Sequence, residues 1–184
     1  MPKMDREFSA GGAVLRHAEG CWWVAAIEPQ SSGERPARKK KPVLALPKGL
    51  VDRGERPEQT AVREVREETG VEAELIHKLK DVRYVYVRSW GDGQRVFKVV
   101  SFYLLLYREG QLGNIRPEMR VEVRQACWIA LAEAPQALTH RGEREVAQLA
   151  LDYVAAHPEL ALSVGPSPEG STPGLGAKRR PSRT

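Results

Sequence analysis

Cysteine is almost absent from this 184-residue chain, which holds only Cys21 and Cys127. Two such thiols have no metal-site spacing and cannot make the disulfide framework of a small secreted domain, so both are read as ordinary buried thiols. Long apolar runs are missing too. No stretch approaches the roughly 18 apolar residues of a membrane-spanning helix, and the start, MPKMDREFSAGG, lacks the apolar segment of a secretory signal. A cytoplasmic location is therefore expected, with no membrane partner. The net charge of +5 suggests an anionic partner, and two basic clusters stand out, RPARKKK (Arg35 to Lys41) and KRRPSR (Lys178 to Arg183). Neither cluster has interleaved aromatics or a nucleic-acid-binding motif, so a solvated loop and a tail are the favoured reading, with nucleic acid the less favoured partner.

What is present is a globular composition, 41% hydrophobic and 29% charged, at a length that suits one domain. FSAGGAVLRH and CWWVAAIEP read as a β-hairpin turning at Glu19 and Gly20, and PVLAL as a short buried strand ended by Pro47. A helix is predicted from Arg56 to Thr69, with Pro57 in its first turn and Gly70 at the left-handed position after its end. AELIHKLKDVRYVYVRSW and QRVFKVVSFYLLLYRE form a predicted antiparallel pair split by the turn Gly91 to Gly93. VEVRQACWIAL gives a further strand. HRGEREVAQLALDYVAAH gives a second helix with an apolar stripe of Val146, Leu149, Ala150, Tyr153 and Val154. The folded unit is placed at residues 5–162, an α/β fold with a mixed sheet between helices. The basic Gly/Pro/Ser-rich tail, 163–184, is expected to be disordered.

The first helix raises the chemical question. At about 100° per residue, Glu64, Glu67 and Glu68 share an arc of roughly 100°, away from Val62, Val65 and Thr69. Carboxylates about 4 Å apart repel by about 4 kcal/mol at the effective dielectric of a protein surface. A divalent cation removes that penalty, since hard oxygens at i, i+3 and i+4 suit Mg²⁺ or Mn²⁺. On the helix alone, a solvated acidic face neutralised by Arg63 and Arg66 is an equal reading. LPKG, as a tight turn aiming the Lys48 carbonyl, and Glu55 as a fourth carboxylate favour the metal site.

Gly49, Glu55 and then Arg63-Glu64-Val65-Arg66-Glu67-Glu68-Thr69-Gly70-Val71 resemble the Nudix box, G-x5-E-x7-R-E-U-x-E-E-x-G-U with U apolar, at every defined position. Chance gives such a match in on the order of one chain in ten million. The resemblance implies an α/β/α sandwich and a hydrolase that cleaves a nucleoside diphosphate linked to another moiety, by attack of water on phosphorus with Mg²⁺ or Mn²⁺. It further implies that Glu64, Glu67 and Glu68 bind metal and handle water, with the Lys48 carbonyl as a further ligand. Glu55 would support a second ion, Arg63 would orient the glutamates, and Gly49 and Gly70 would be structural. Glu122 sits where several relatives carry an additional acidic ligand or base, with Glu118 as the alternative and an exposed strand carboxylate as an equal reading.

The box does not set the substrate. The LPKG sequence leading into it is similar to the diadenosine polyphosphate hydrolases and to some nucleotide-sanitising and diphosphoinositol-polyphosphate members. FKVVSFYLLLY is similar to the strand after the box in the first of these, which implies that Lys98 contacts phosphate and that Tyr84, Tyr86, Phe102 or Tyr103 stacks on adenine, although a core role is favoured for each aromatic. His140 and Arg141, at the start of the last helix, are weaker candidates for meeting an anion. Dinucleoside polyphosphates lead as substrates. The alternatives are oxidised nucleoside triphosphates, nucleotide sugars, ADP-ribose, RNA 5′ ends, diphosphoinositol phosphates, or a non-catalytic nucleotide-sensing module.

Overall fold

The computed structural model describes residues 4–30, 42–88 and 93–163. The basic segment Arg35 to Lys41, the Gly91 end of the predicted turn, and the tail from residue 164 lie outside the described residues. Along the chain run β1 (Asp5–Ala18), β2 (Cys21–Pro29), β3 (Lys48–Leu50), α1 (Pro57–Thr69), β4 (Val71–Val87) and β5 (Arg95–Gly110). A 3-10 helix (Pro117–Val121), β6 (Val123–Ala130), α2 (Ala134–Ala137), α3 (Arg141–Ala156) and α4 (Leu160–Ser163) follow.

The sheet is mixed, in the order β4-β5-β1-β2-β6. Among the described residues, only β1 and β5 run parallel; the other pairs are antiparallel. The hairpin turns at Glu19 and Gly20, both at positive φ, as a two-residue loop matching strand twist requires. One edge of β1 serves two partners in succession, β3 over Ser9–Gly11 and β2 over Leu15–Ala18. This sharing brings β3 against the middle of the sheet.

Both faces of the sheet are covered, which explains why SFYLLLY reads as an unbroken apolar run rather than an alternating one. Phe102, Leu104 and Leu106 pack with Val146, Ala147 and Ala150 of α3. Tyr103, Leu105 and Tyr107 pack on the other side with Ala61 and Val65 of α1. Period-two alternation assigns neighbouring residues to opposite layers.

Four local expectations are corrected. PVLAL is not a strand: Ala45 makes a single bridge to Ile27, and regular pairing begins at Lys48, after Pro47 has passed. Pro47 still accepts a bond, from the Gly12 N–H at 3.1 Å. LPKG is accordingly a strand start and not a tight turn. The buried stripe of α3 is Glu143, Val146, Ala147, Ala150 and Val154, so Ala147 replaces Leu149, which is exposed. Finally, Cys21 is exposed at the hairpin; Cys127 is half-buried, and burial pushes its thiol pKa up.

The close approach of β3 to β1 depends on Gly11. A Cβ there would lie 2.2 Å from the Pro47 carbonyl oxygen and 2.5 Å from Lys48 Cβ, and backbone atoms cannot step aside. Gly11→Ala is expected to destabilise the fold by about 1–3 kcal/mol, read as a lower denaturation midpoint in urea. An unchanged midpoint would mean that β3 is free to move off the sheet.

Candidate active site

The site forms where β3 crosses the second half of α1. Helix α1 begins at Arg56, whose N–H donates to Gln59 Oε1 at 3.0 Å, so Gln59 supplies the capping that an arginine side chain does not. It ends at Gly70, at φ 80°, whose N–H donates to the Arg66 carbonyl at 2.9 Å. Between these ends the acidic arc does not look out to solvent. Glu64 and Glu68 are buried along with Ala61 and Val65, while Val62 is only half-buried. The expected division into an apolar face and an acidic face is corrected: β3 lies over the glutamates, so both kinds of residue face inward.

Gly49 makes this approach possible, since a Cβ on it would sit 2.1 Å from the Glu64 carboxyl carbon. Beside it, the ladder register pairs Gly11 with Lys48 between the bonds Gly12 N–H to Pro47 and Val51 N–H to Phe8. In an antiparallel ladder alternate residues turn N–H and C=O away from the partner strand, and Lys48 is one of these. Its N–H donates to Glu68 Oε2 at 2.7 Å, and its carbonyl lies on the same side of the strand.

Arg63 holds the cluster together. Its Nε and Nη2 donate to the two oxygens of Glu55 at 3.0 and 2.9 Å, and Nη2 also reaches the Leu50 carbonyl at 3.1 Å. Its Nη1 donates to Glu64 Oε1 at 2.7 Å and Glu67 Oε2 at 3.0 Å. Glu55 Oε2 accepts further from the Thr60 hydroxyl at 2.6 Å and the Asp52 N–H at 3.3 Å. The Arg63 bonds above all, with the bond from Thr60, hold the Glu55 carboxyl down at about 2, and the same contacts raise Arg63. Glu55 is thus saturated by protein donors, as a bidentate anchor for Arg63.

Glu68 is different. Burial pushes its carboxyl up to about 8; Lys48 opposes the shift through its amide and its ammonium, and Glu64 and Glu122 add to it by repulsion. Glu64 is raised as well, by burial first, with Glu67 and Glu122 adding and Arg63 opposing. Two carboxyls made costly to ionise sit next to two more, Glu67 and Glu122. Glu122 is exposed at the end of the 3-10 helix, where its carbonyl accepts the Gln30 N–H at 2.8 Å. Glu118 lies exposed in the same 3-10 helix.

Among the described residues, no three His, Cys, Asp or Glu side chains are already drawn together as a ligand set. The donor chemistry nonetheless fits a hard divalent cation. Glu64 Oε2 and Glu68 Oε1 make no bond among the described residues, the Lys48 carbonyl lies on their side, and a cation would offset the burial, and the repulsion added to it, that raise both carboxyls.

A cavity of about 530 Å³ opens behind Lys48, between β4, β5 and the start of α3. Lys48, Tyr84, Phe102, His140 and Arg141, all singled out in the sequence, line it together. Phe102 is fully buried and serves the core and the cavity wall at once. Tyr86 and Lys98 are not among the lining residues. Glu7 engages both, accepting from the Tyr86 hydroxyl at 2.8 Å and pairing with Lys98 at 3.5 Å. Tyr103 faces the α1 layer, where its hydroxyl donates to Glu58 at 3.2 Å. A second cavity, of about 640 Å³, is lined by Arg63 and Glu67 with Val62, Arg66 and Arg116.

The residue missed in the sequence is Glu143. It is buried, accepts the Leu46 N–H at 3.0 Å and pairs with Lys48 Nζ at 3.1 Å. The available signal was a glutamate three and four residues ahead of Val146 and Ala147, a charge on an apolar stripe.

The mixed sheet between helices, with the glutamates of α1 gathered under a glycine strand, defines a Nudix-type α/β/α sandwich. Residues 9–150 match the family model described as NUDIX domain, and the chain belongs to that family, whose members generally use divalent metal ions. It is 33% identical over 177 residues to a protein of Mycobacterium tuberculosis (strain CDC 1551 / Oshkosh) that carries the mutator-protein name MutT4. That alignment covers 95% of this chain and 65% of the relative, so this chain spans less than two thirds of the relative's length. The fold is similar to a MutT NUDIX hydrolase from Burkholderia pseudomallei (TM-score 0.56, 24% identity, 79% of this chain and 98% of that one). It is similar also to the NUDIX domain of Shewanella oneidensis NrtR, solved with ADP ribose (TM-score 0.62, 18% identity, 83% and 90%). A C. elegans Ap4A hydrolase matches at TM-score 0.61 and 18% identity, over 82% and 98% of the two chains. Among the described residues, no helix is long and apolar enough to cross a membrane.

Proposed function

We propose that this protein is a hydrolase of dinucleoside polyphosphates, such as diadenosine tetraphosphate, acting in the cytoplasm with Mg²⁺ or Mn²⁺ as cofactor. The observation that supports the reading is a pair of cavities next to the site, one lined by Lys48, whose N–H bonds to Glu68, and the other lined by Arg63 and Glu67. A ligand with a nucleoside at each end of a phosphate chain needs two recesses with a charge-handling centre between them. Both volumes lie within the usual range for small-molecule sites, about 300–1,000 Å³.

In this reading Glu64, Glu67, Glu68 and the Lys48 carbonyl hold the cofactor. When bound, a divalent cation neutralises phosphate charge and makes a nearby water more acidic. Arg63, fixed by Glu55, orients Glu64 and Glu67; Glu55 acts through Arg63 and not as a ligand. Glu122, at the solvent side, accepts the proton of the attacking water. Tyr84 and Phe102 face the base, and Lys48 and His140 bind at the same cavity.

The test is a panel of dinucleoside polyphosphates, nucleotide sugars, nucleoside triphosphates, ADP-ribose, capped RNA and inositol pyrophosphates with Mg²⁺ or Mn²⁺, products being identified by mass. Cleavage of a dinucleoside polyphosphate into two mononucleotides is expected, at a kcat/KM at least about tenfold above the rest. Preferred turnover of another member would replace the substrate, and turnover of none would leave a nucleotide-sensing module.

A further inference from the structure

The cavity behind Lys48 holds cations that already have partners. Lys48 Nζ pairs with Glu143 Oε1 at 3.1 Å and also donates to the Leu46 carbonyl at 3.4 Å. The other oxygen of Glu143 accepts the Leu46 N–H at 3.0 Å, so the carboxylate is fixed from both sides in a buried position. At the rim the setting is more exposed and one carboxylate serves two cations: Glu145 pairs with Lys80 and, at 3.1 Å, with Arg141, while Arg83 lies 3.9 Å from Asp81. Val82, Val100 and Phe102 give the same cavity an apolar wall. An uncompensated ammonium beside an open cavity would draw in any phosphate; paired with Glu143, Lys48 leaves the inner wall without a net charge of its own.

We propose that Glu143 is a specificity-determining residue: by neutralising Lys48 at the inner wall, it reserves this cavity for the uncharged nucleoside end of the substrate and turns the phosphate chain toward the glutamates of α1. The inference rests on the dinucleotide reading for its substrate, but not for its test. Discrimination of this kind is a difference between two affinities, and the repulsive element is the carboxylate.

The test is calorimetric binding of two probes, adenosine and inorganic tripolyphosphate, to the full chain in excess EDTA. The wild type is expected to bind adenosine and to bind tripolyphosphate more weakly. Glu143→Gln keeps an acceptor for the Leu46 N–H and removes the charge. It should bind tripolyphosphate at least about tenfold more tightly than the wild type, with adenosine changed by less than about threefold. Adding Lys48→Gln should abolish the gain. A merely structural role for Glu143 would weaken both probes together and would not be reversed by the second substitution. Unchanged tripolyphosphate binding in a folded Glu143→Gln, a gain that survives Lys48→Gln, or a wild type that does not bind adenosine would each overturn the proposal. If Glu143→Gln does not fold, Glu145→Gln should show a gain in the same direction through Lys80 and Arg141, and none there overturns it. Failure of dinucleoside polyphosphates in the substrate panel would remove the substrate reading and leave this comparison of probes intact.

Discussion

Glu68→Gln is expected to lower kcat by on the order of 10³-fold or more while making the cation-free protein more stable at pH 8. The two halves have one cause. Burial pushes the Glu68 carboxyl up to about 8 from its ordinary 4.5. Between those values the folded chain holds a proton that the unfolded chain has released, so this group makes stability fall as pH rises from about 4.5 to about 8 and adds no further change above that. Glutamine carries no such cost, and its carbonyl still accepts the Lys48 N–H. The melting midpoint of the cation-free variant should therefore exceed that of the wild type by a few degrees at pH 8, and the gap should close toward pH 5. Glu55, held down at about 2, contributes with the opposite sign and in a separate window: its stability is present above 4.5 and is lost as pH falls toward 2. Melting curves at several pH values and steady-state kinetics read the two halves separately. Wild-type turnover would remove Glu68 from the site; a variant melting below wild type at pH 8 would mean that the carboxylate is not strained by burial.

Gly49→Ala is expected to cost about 10²-fold in kcat/KM with less than about 1 kcal/mol of stability. The new methyl would stand 2.1 Å from the Glu64 carboxyl carbon, and what it meets is the far end of a flexible side chain rather than backbone. Glu64 can swing aside, so the fold tolerates the change. In swinging it leaves Arg63 Nη1, which holds it at 2.7 Å, and its alignment with Glu68. Gly11→Ala is the internal control, because there the added methyl meets the Pro47 carbonyl and the loss falls on stability. Activity near wild type in Gly49→Ala would show that the reaction does not need Glu64 where it now stands.

Much of this was legible along the chain. Arg63, Glu64, Glu67 and Glu68 lie on one helix with Glu55 just ahead of it, so their spacing alone brings them together, whereas Gly49, on β3, is placed over them by the pairing of β3 with β1. The hairpin at Glu19 and Gly20, the helix stop at Gly70 and the long β4–β5 pair were likewise written in local turn and periodicity signals. Local sequence also explains why PVLAL misled: a β-rich composition says nothing about which backbone edge is free. Here β1 has room for pairing only from Lys48 onward.

Tertiary structure decided the rest, because it depends on contacts between residues far apart in the chain. Whether the acidic arc faces water or protein was set by β3 lying over α1, and that orientation raises Glu64 and Glu68. Tyr84 lines the cavity while Tyr86, its ring only 6.3 Å from that of Tyr84, and Lys98 are engaged by Glu7, a residue on another strand. Glu143 gained its partner from a lysine 95 positions away, by the numbering of the two residues. The sequence by itself determined which carboxylates are gathered and at what spacing, since a helix carries its own geometry. Only the packing of β3 over α1 and its ion pair to α3 decided how costly those charges are and which cations already have partners, since burial and ion pairing are properties of the assembled layers.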